Sequence, residues 1–257
     1  MAKMKASELV DKAIDIAKNY KTLYVMGCFG APMTEANKER YTKNHSYNKQ
    51  ASRTAMIKAA SSDTFGFDCV CLIKGILWGW NGDRSKPYGG ASYASNGVPD
   101  LNADQMIAKC SSVSTSFGNI VPGEMLWCSG HAGIYIGNGL GVECTPAWAN
   151  KVQITAVGNI GSKSGYNTRQ WTKHGKLPYV DYSVQQTPAP EPSGQTPHPH
   201  HPFVDVPADA WYAPYVQTAW EMELIDGVSK DKFAPDEPLT RAQAATLIVR
   251  LAGKLGG

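Results

Sequence analysis

No stretch of the 257 residues holds about 18 consecutive apolar positions, so the sequence predicts no membrane-spanning helix. No Lys/Arg block is interleaved with aromatic residues, which leaves nucleic acid without an electrostatic footprint and removes it as an expected partner. Cys28, Cys69, Cys71, Cys110, Cys128 and Cys144 form no Cys-x-x-Cys pair, and only His45, His131 and His174 precede residue 184. A structural zinc site is therefore not expected, and neither a metal nor a cofactor is assigned. The N-terminus also lacks the unbroken apolar core of a secretory signal. Leu9, Ala13, Ile16, Ala17 and Tyr20 are spaced for one face of a helix, with charges between them. The expectation is synthesis in a reducing compartment with free thiols, and either retention there or exit by a route that needs no signal peptide.

What is present is enough for a core. Hydrophobic residues make up 42% of the chain, and its length fits one or two domains. The net charge of +3 is unevenly spread: about +7 over residues 1–183 and about −4 over residues 184–257. The basic front suits an anionic target surface as well as it suits scattered solvated lysines. Between the two lies a proline-rich segment, residues 184–202, that cannot bury a core and is expected to be extended and semi-rigid. It separates a front domain, residues 1–183, from a tail, residues 203–257. In this linker Pro199 holds His198 apart from His200 and His201, and there is no second layer of residues to orient them on a metal.

The front domain reads as helix, long irregular region, helix, then antiparallel strands. Leu72, Ile73, Ile76, Leu77 and Trp80 follow Cys69 at helical spacing, with Gly82-Asp83 as the expected stop. Leu101–Cys110 reads as a second short helix. Met125–Trp127, Ala132–Ile136 and Leu140–Thr145 read as strands, with Asn138-Gly139 as a hairpin turn. A helix packed on such a sheet predicts an α+β fold. In the tail, Trp211, Tyr215, Val216, Ala219, Trp220 and Leu224 stripe one helix, and Thr240 with Gln243 forms the capping box of another. Phe233 ends the polar turn between them and is expected to be buried.

Cys69 sits where an apolar helix begins, a position that lowers a thiol's pKa, as does a neighbouring imidazole. Cys71 faces elsewhere and, like Cys28, Cys110, Cys128 and Cys144, reads as a small core residue. His45 lies in a polar run and His174 in a Lys/Gly-rich loop, so both read as surface residues. His131 opens a strand beside Gly130 and Gly133, where another element can approach. It is the candidate base. Glu143 is the candidate orienter of that imidazole, and strand register tests it. A strict two-residue turn pairs Gly137 with Leu140 and sets Glu143 opposite Ile134, on the wrong face. A bulged or three-residue turn sets Glu143 opposite Gly133, diagonal to His131 and on its face, within roughly 7–8 Å.

These residues resemble the NlpC-like family of papain-fold cell-wall cysteine peptidases, which is related to the CHAP amidases and peptidases. Tyr24-Val25-Met26-Gly27 resembles the family's Tyr-x-x-Gly, and Asp68-Cys69 its helix-opening Asp-Cys. His131 to Gly137 resembles its histidine strand, Glu143 its later polar residue, and Pro122-Gly123-Glu124 its Pro-Gly-Asp. The resemblance implies a papain-like domain and a Cys69, His131, Glu143 triad assisted by Tyr24, with Asp68 and Val70 at the substrate. Val70-Cys71 replaces the family's Ser-Gly, which argues for intact peptidoglycan rather than a trimmed stem peptide. About forty residues separate Tyr24 from Cys69, more than the family has, and this insertion is expected to build a substrate-side loop. A Glu in place of the commoner His resembles CHAP proteins and supports an N-acetylmuramoyl-L-alanine amidase as the alternative activity.

The tail resembles a single S-layer homology module, through Phe203-Val204-Asp205-Val206, Trp211, Gly227 to Pro235, and Leu239-Thr240-Arg241-Ala242-Gln243. That resemblance implies an anionic wall polysaccharide held by Arg241 and Trp211, a guanidinium fork being matched to a carboxylate. Such modules usually pack in threes, so one copy implies a homotrimer or docking onto another protein's modules. The combined expectation is a peptidoglycan hydrolase of the phage endolysin type. It would be made in the host cytoplasm, released through a holin, and would cut between γ-D-glutamate and the following diamino acid. A non-catalytic wall-binding protein is the competing class. An acyltransferase on the same fold is a third reading, without any lipid-binding segment to support it.

Overall fold

The computed structural model describes residues 3–183, 202–207 and 212–255. The chain divides into two compact units, residues 1–184 and 185–257. In chain order the first contains β1 (Met4–Lys5), α1 (Ala6–Asn19), β2 (Thr22–Tyr24), β3 (Phe29–Pro32), α2 (Glu35–Asn44), α3 (Ala51–Ala59), β4 (Phe65–Phe67), α4 (Cys69–Leu77) and α5 (Ala103–Lys109). There follow β5 (Ser111–Ser114), β6 (Met125–Cys128), β7 (His131–Gly137), β8 (Leu140–Thr145), β9 (Lys151–Val157), β10 (Thr168–Arg169), β11 (Lys173–Lys176) and β12 (Val180–Asp181).

The main sheet has the order β10-β9-β8-β7-β6-β11-β5. It is antiparallel except at its edge, where β10 runs parallel to β9. A small sheet, β2-β4-β3, packs on α4 through β3 and reaches the main sheet through β2, which contacts β8 and β9. The unit is thus α+β. Residues Cys69 to Leu77 of α4 are all buried, because the helix is apolar on every face except at Lys74, which pairs with Asp100, and packs against β3, β7 and β8. Burial of Leu72, Ile73, Ile76 and Leu77 contributes about 1.5–3 kcal/mol each. Asp68 starts the helix by accepting the Cys71 N–H at 2.7 Å.

Two expectations about local structure need correction. The helix stops at Leu77, short of Gly82-Asp83: Gly79 has φ +91°, where a helix cannot continue, and Trp80 is buried from the loop beyond. The region expected to be irregular contains α2 and α3. Neither carries a long apolar stripe, since α2 buries only Lys38 and Tyr41 and α3 only Arg53 and Ile57, so periodicity gave no signal.

The hairpin takes the bulged form. Gly137 pairs with Leu140 across Asn138-Gly139, yet Gly133 pairs with Glu143, with the register shifting between Tyr135 and Gly137. Asn138 and Gly139 both have positive φ, 53° and 71°, as a tight two-residue hairpin turn needs.

The second unit contains α6 (Ala213–Glu221) and α7 (Arg241–Leu255). Phe203, Val206, Ala213 and Val216 form its core, with Trp220, Ile225 and Phe233 packed against them. Asp205 accepts the Phe233 and Ala234 N–H groups at 2.9 and 2.8 Å, closing the polar turn onto that core. Thr240 and Gln243 form the expected reciprocal cap: Gln243 N–H donates to Thr240 Oγ1 at 3.2 Å and Thr240 N–H to Gln243 Oε1 at 2.8 Å. Tyr215 departs from the expected stripe. It is 70% exposed, one position round the helix from buried Val216. Trp211 and nearly all of the linker lie outside the described residues. Among the described residues, no helix is long and apolar enough to cross a membrane.

Candidate functional site

The packing of α4 on β7 brings the two halves of the candidate site together. The Cys69 thiol points at the Gly130 carbonyl, 3.9 Å away, and lies beside the Ala132 N–H, so it contacts the backbone on both sides of His131. His131 Nε2 meets Glu143 Oε2 at 2.7 Å. A carboxylate only accepts, so Nε2 carries the proton there and Nδ1 keeps the lone pair in the neutral ring. Gly133 leaves the gap between strands open: a Cβ at this position would lie 2.9 Å from the Trp171 ring.

Glu143 is fully buried and held on every side. Thr155 Oγ1 donates to its Oε1 at 2.7 Å, and Arg169 Nε donates to its Oε2, also at 2.7 Å. The Arg169 guanidinium lies 5.0 Å from the ring centroid of Trp148 and 5.6 Å from that of Trp171. Trp171 stacks in turn on His131, centroids 5.5 Å apart and ring planes within 10°. Sequence reasoning did not single out Arg169, Thr155, Trp148 or Trp171. The available signal was the two-residue alternation of Arg169 and Trp171, which puts both on one face of a short extended segment.

The thiol's environment reverses one expectation. Burial, and then the Asp68 carboxylate, push the Cys69 thiol up to about 12, against the opposing backbone N–H groups of Ala132, Val70 and Cys69. The helix N-terminus is present, but desolvation outweighs it. Tyr24 is buried beside the thiol, its hydroxyl pushed up by burial first and then by Cys69 and Asp68. Both Asp68 oxygens are bonded to backbone, Oδ1 to Cys71 N–H at 2.7 Å and Oδ2 to Gly27 N–H at 2.8 Å. Val70 is buried in the core cluster.

The insertion after Tyr24 is helical rather than a loop, and it fastens the Tyr24 segment. Asn48 bonds both the N–H and the carbonyl of Met26, at 3.1 and 2.9 Å. Arg53 donates to the Tyr24 carbonyl and, at 2.7 Å, to Asn150 Oδ1, with its guanidinium over the Tyr24 and Tyr47 rings. His45 is exposed as expected. His174 is not: it is 3% exposed and sits between the Glu124 carboxylate and the Ser116 carbonyl. The Lys/Gly-rich surroundings misled, because β11 is sandwiched between β6 and β5. Cys110 and Cys128 are only partly buried, whereas Cys28, Cys71 and Cys144 are core residues.

In the second unit, Arg241 is exposed in the first turn of α7 and makes no ion pair among the described residues. A groove of about 610 Å³ runs between α7 and the preceding turn, lined in part by Phe233, Leu239, Thr240, Gln243 and Arg250. Arg241 lies outside its walls.

Residues 202–245 match the S-layer homology domain. Similar proteins include a surface-layer 125 kDa protein of Lysinibacillus sphaericus, 45% identical over 47 residues, which is 18% of this chain and 4% of that protein. A cell surface protein of Thermoanaerobacter kivui is 42% identical over 52 residues, 20% of this chain and 7% of that one. An endoglucanase of Bacillus sp. (strain KSM-635) is 38% identical over 52 residues, 20% of this chain and 6% of that one. The chain thus spans only a small fraction of these relatives, and the similarity covers about one fifth of it.

Proposed function

We propose that the front unit is a cysteine hydrolase of peptidoglycan, of papain-like fold, which the S-layer homology segment brings to the cell wall or surface. The observation that carries this reading is the line of contacts from the Cys69 thiol, through the backbone flanking His131, to the His131–Glu143 hydrogen bond of 2.7 Å. In this mechanism Cys69 attacks a stem-peptide amide carbon. His131 Nδ1 takes the thiol proton and then delivers it to the leaving amine. Glu143 holds the ring through Nε2. The Cys69 N–H, at the start of α4, faces the developing oxyanion. Water then hydrolyses the thioester. Because both oxygens of Asp68 are engaged, its part is to hold the Gly27 segment against the nucleophile.

The bond cut is that between γ-D-glutamate and the diamino acid. A second reading, the amidase, is favoured by one observation: the orienter is a buried carboxylate, as in the CHAP proteins this domain resembles. In the tail, Arg241 and Trp211 take the acidic groups of a wall polysaccharide. Ile248, Val249 and Leu251 are exposed on α7, an apolar surface that supports association with a further copy or module. Digestion of purified peptidoglycan by the full chain and by Cys69→Ala, read by mass spectrometry, tests the chemistry. New amino termini at the diamino acid support the endopeptidase, and stem peptides beginning at L-Ala support the amidase. Absence of any release by the wild type refutes both and favours a wall-binding protein without catalysis.

A further inference from the structure

The turn between β6 and β7 leads into His131 and touches Cys69, yet its own backbone is of a kind that hairpins avoid. Cys128 pairs with His131, which leaves Ser129 and Gly130 as the two turn residues. Gly130 has φ +69°, whereas Ser129 is outside the positive-φ region. Positive φ at the second turn position alone is the type II pattern, whose twist splays the flanking strands. Asn138-Gly139, at the other end of β7, has positive φ at both positions and matches the strand twist. Packing does not hold the Gly130 turn either: among the described residues, a Cβ on Gly130 would meet no atom within 4 Å.

A side chain from another element supplies the support. Asp104 Oδ1 accepts the Gly130 N–H at 3.0 Å and the Trp127 indole N–H at 2.8 Å. Asp104 itself is exposed, but it stands on α5, which Ala103, Met106 and Ile107 bury in the core. The Trp127 ring is covered in turn by the Lys173 ammonium, 4.4 Å from its centroid. Asp104 thus ties α5 to the end of β6 and to the turn at once. Directly after this tie come the Gly130 carbonyl, 3.9 Å from the Cys69 thiol, and His131 at the start of β7.

We propose that Asp104 is a positioning residue: it fixes the β6–β7 turn, and with it the Gly130 carbonyl and the His131 backbone, against Cys69. This rests on the reading of Cys69 and His131 as nucleophile and base, but not on which bond they cleave. Glu143 and Trp171 hold the His131 ring, and Asp104 holds the backbone that carries it. Two N–H groups donating to one carboxylate oxygen make charge-assisted bonds, stronger than bonds to a neutral acceptor. Asn keeps an acceptor oxygen at the same place, so Asp104→Asn retains the geometry with weaker bonds. Asp104→Ala loses both bonds.

The test is NMR of the full chain labelled at histidine and glycine, in the wild type, Asp104→Ala and Asp104→Asn. Stacking on Trp171 shifts the His131 ring signals upfield, and the buried His174 ring serves as an internal control. In Asp104→Ala the His131 signals move toward those of an unstacked histidine, and His174 stays in place. The Gly130 amide then exchanges with solvent about tenfold faster or more. Asp104→Asn restores most of both. Unchanged His131 and Gly130 signals in Asp104→Ala overturn the proposal. So does movement of His174 together with His131, which marks a general loosening. A wild-type Gly130 amide that exchanges at the unprotected rate overturns it even if the alanine variant does not fold. On soluble peptidoglycan fragments, kcat falls about ten- to a hundredfold in Asp104→Ala with KM unchanged, and Asp104→Asn recovers it. An unchanged kcat overturns the proposal as well. Lack of cleavage by the wild type counts against the wall-hydrolase reading alone, because the NMR readouts need no substrate.

Discussion

Replacing Glu143 by Ala removes the acceptor at the centre of the site and leaves Arg169 in place. The Glu143 side chain is fully buried and the Arg169 side chain is 21% exposed. Breaking a buried ion pair from one side costs about 3–5 kcal/mol, and the partial exposure of Arg169 sets the lower end, about 3 kcal/mol. For a unit of this size each kcal/mol lowers the melting temperature by about 2–4 °C, so the front unit's transition drops by about 6–12 °C. Differential scanning calorimetry of the full chain reads this directly. The informative arm is the double variant Glu143→Ala/Arg169→Ala. Removing the guanidinium as well relieves the uncompensated charge, so the double variant is less destabilised than the sum of the two single ones, by about 1–3 kcal/mol. If Glu143→Ala costs under about 1 kcal/mol, or if the two losses simply add, the carboxylate does not hold the guanidinium as described.

The buried thiols make the front unit sensitive to alkali. Cys28 and Cys69 are pushed up to about 11 and about 12 by burial. Their folded values lie above the unfolded one, so the unfolded chain loses its protons first and stability falls as pH rises from about 9, by up to about 1.4 kcal/mol per pH unit per thiol. A urea midpoint of the front unit that stays flat from pH 8 to 10.5 contradicts this. Gly133→Ala places a Cβ 2.9 Å from the Trp171 ring, which costs about 1–3 kcal/mol and pulls the indole off His131. Loss of peptidoglycan cleavage alongside a lowered melting point is the expected result. Asp68→Ala removes the cap of α4 and the anchor of Gly27, for about 1–2 kcal/mol by chemical denaturation, whereas Asp68→Asn recovers part of it. Asp205→Ala unties the tail's turn from its core and weakens binding to purified cell walls, with the front unit's melting temperature unchanged.

Much of the site was legible because it is built from local features. The apolar run after Cys69 marks where a helix begins, and the structure adds Asp68 as its cap. Asn138-Gly139 means a hairpin, and the bulge at Ile136 is one of the two ways to bring Glu143 opposite Gly133. The capping box at Thr240 and Gln243 was equally local. Other features were hidden because their signal is not periodic. The α2 and α3 helices bury two residues each, so no stripe announces them. His174 sits among lysines and glycines, and only its place between two strands buries it.

The sequence alone determined the punctuation of the chain: where α4 begins, where the hairpin turns, where the tail's second helix is capped, and which cysteine and histidine open their elements. Each of these depends on neighbours within a few residues, through backbone bonds and φ preferences. The tertiary structure decided the electrostatics. Whether Cys69 rests as thiol or thiolate depends on how deeply α4 is buried. What holds the Glu143 carboxylate against His131 includes Arg169, 26 positions along the chain and two strands away. Desolvation and charge pairing act through space, so no local pattern could carry them.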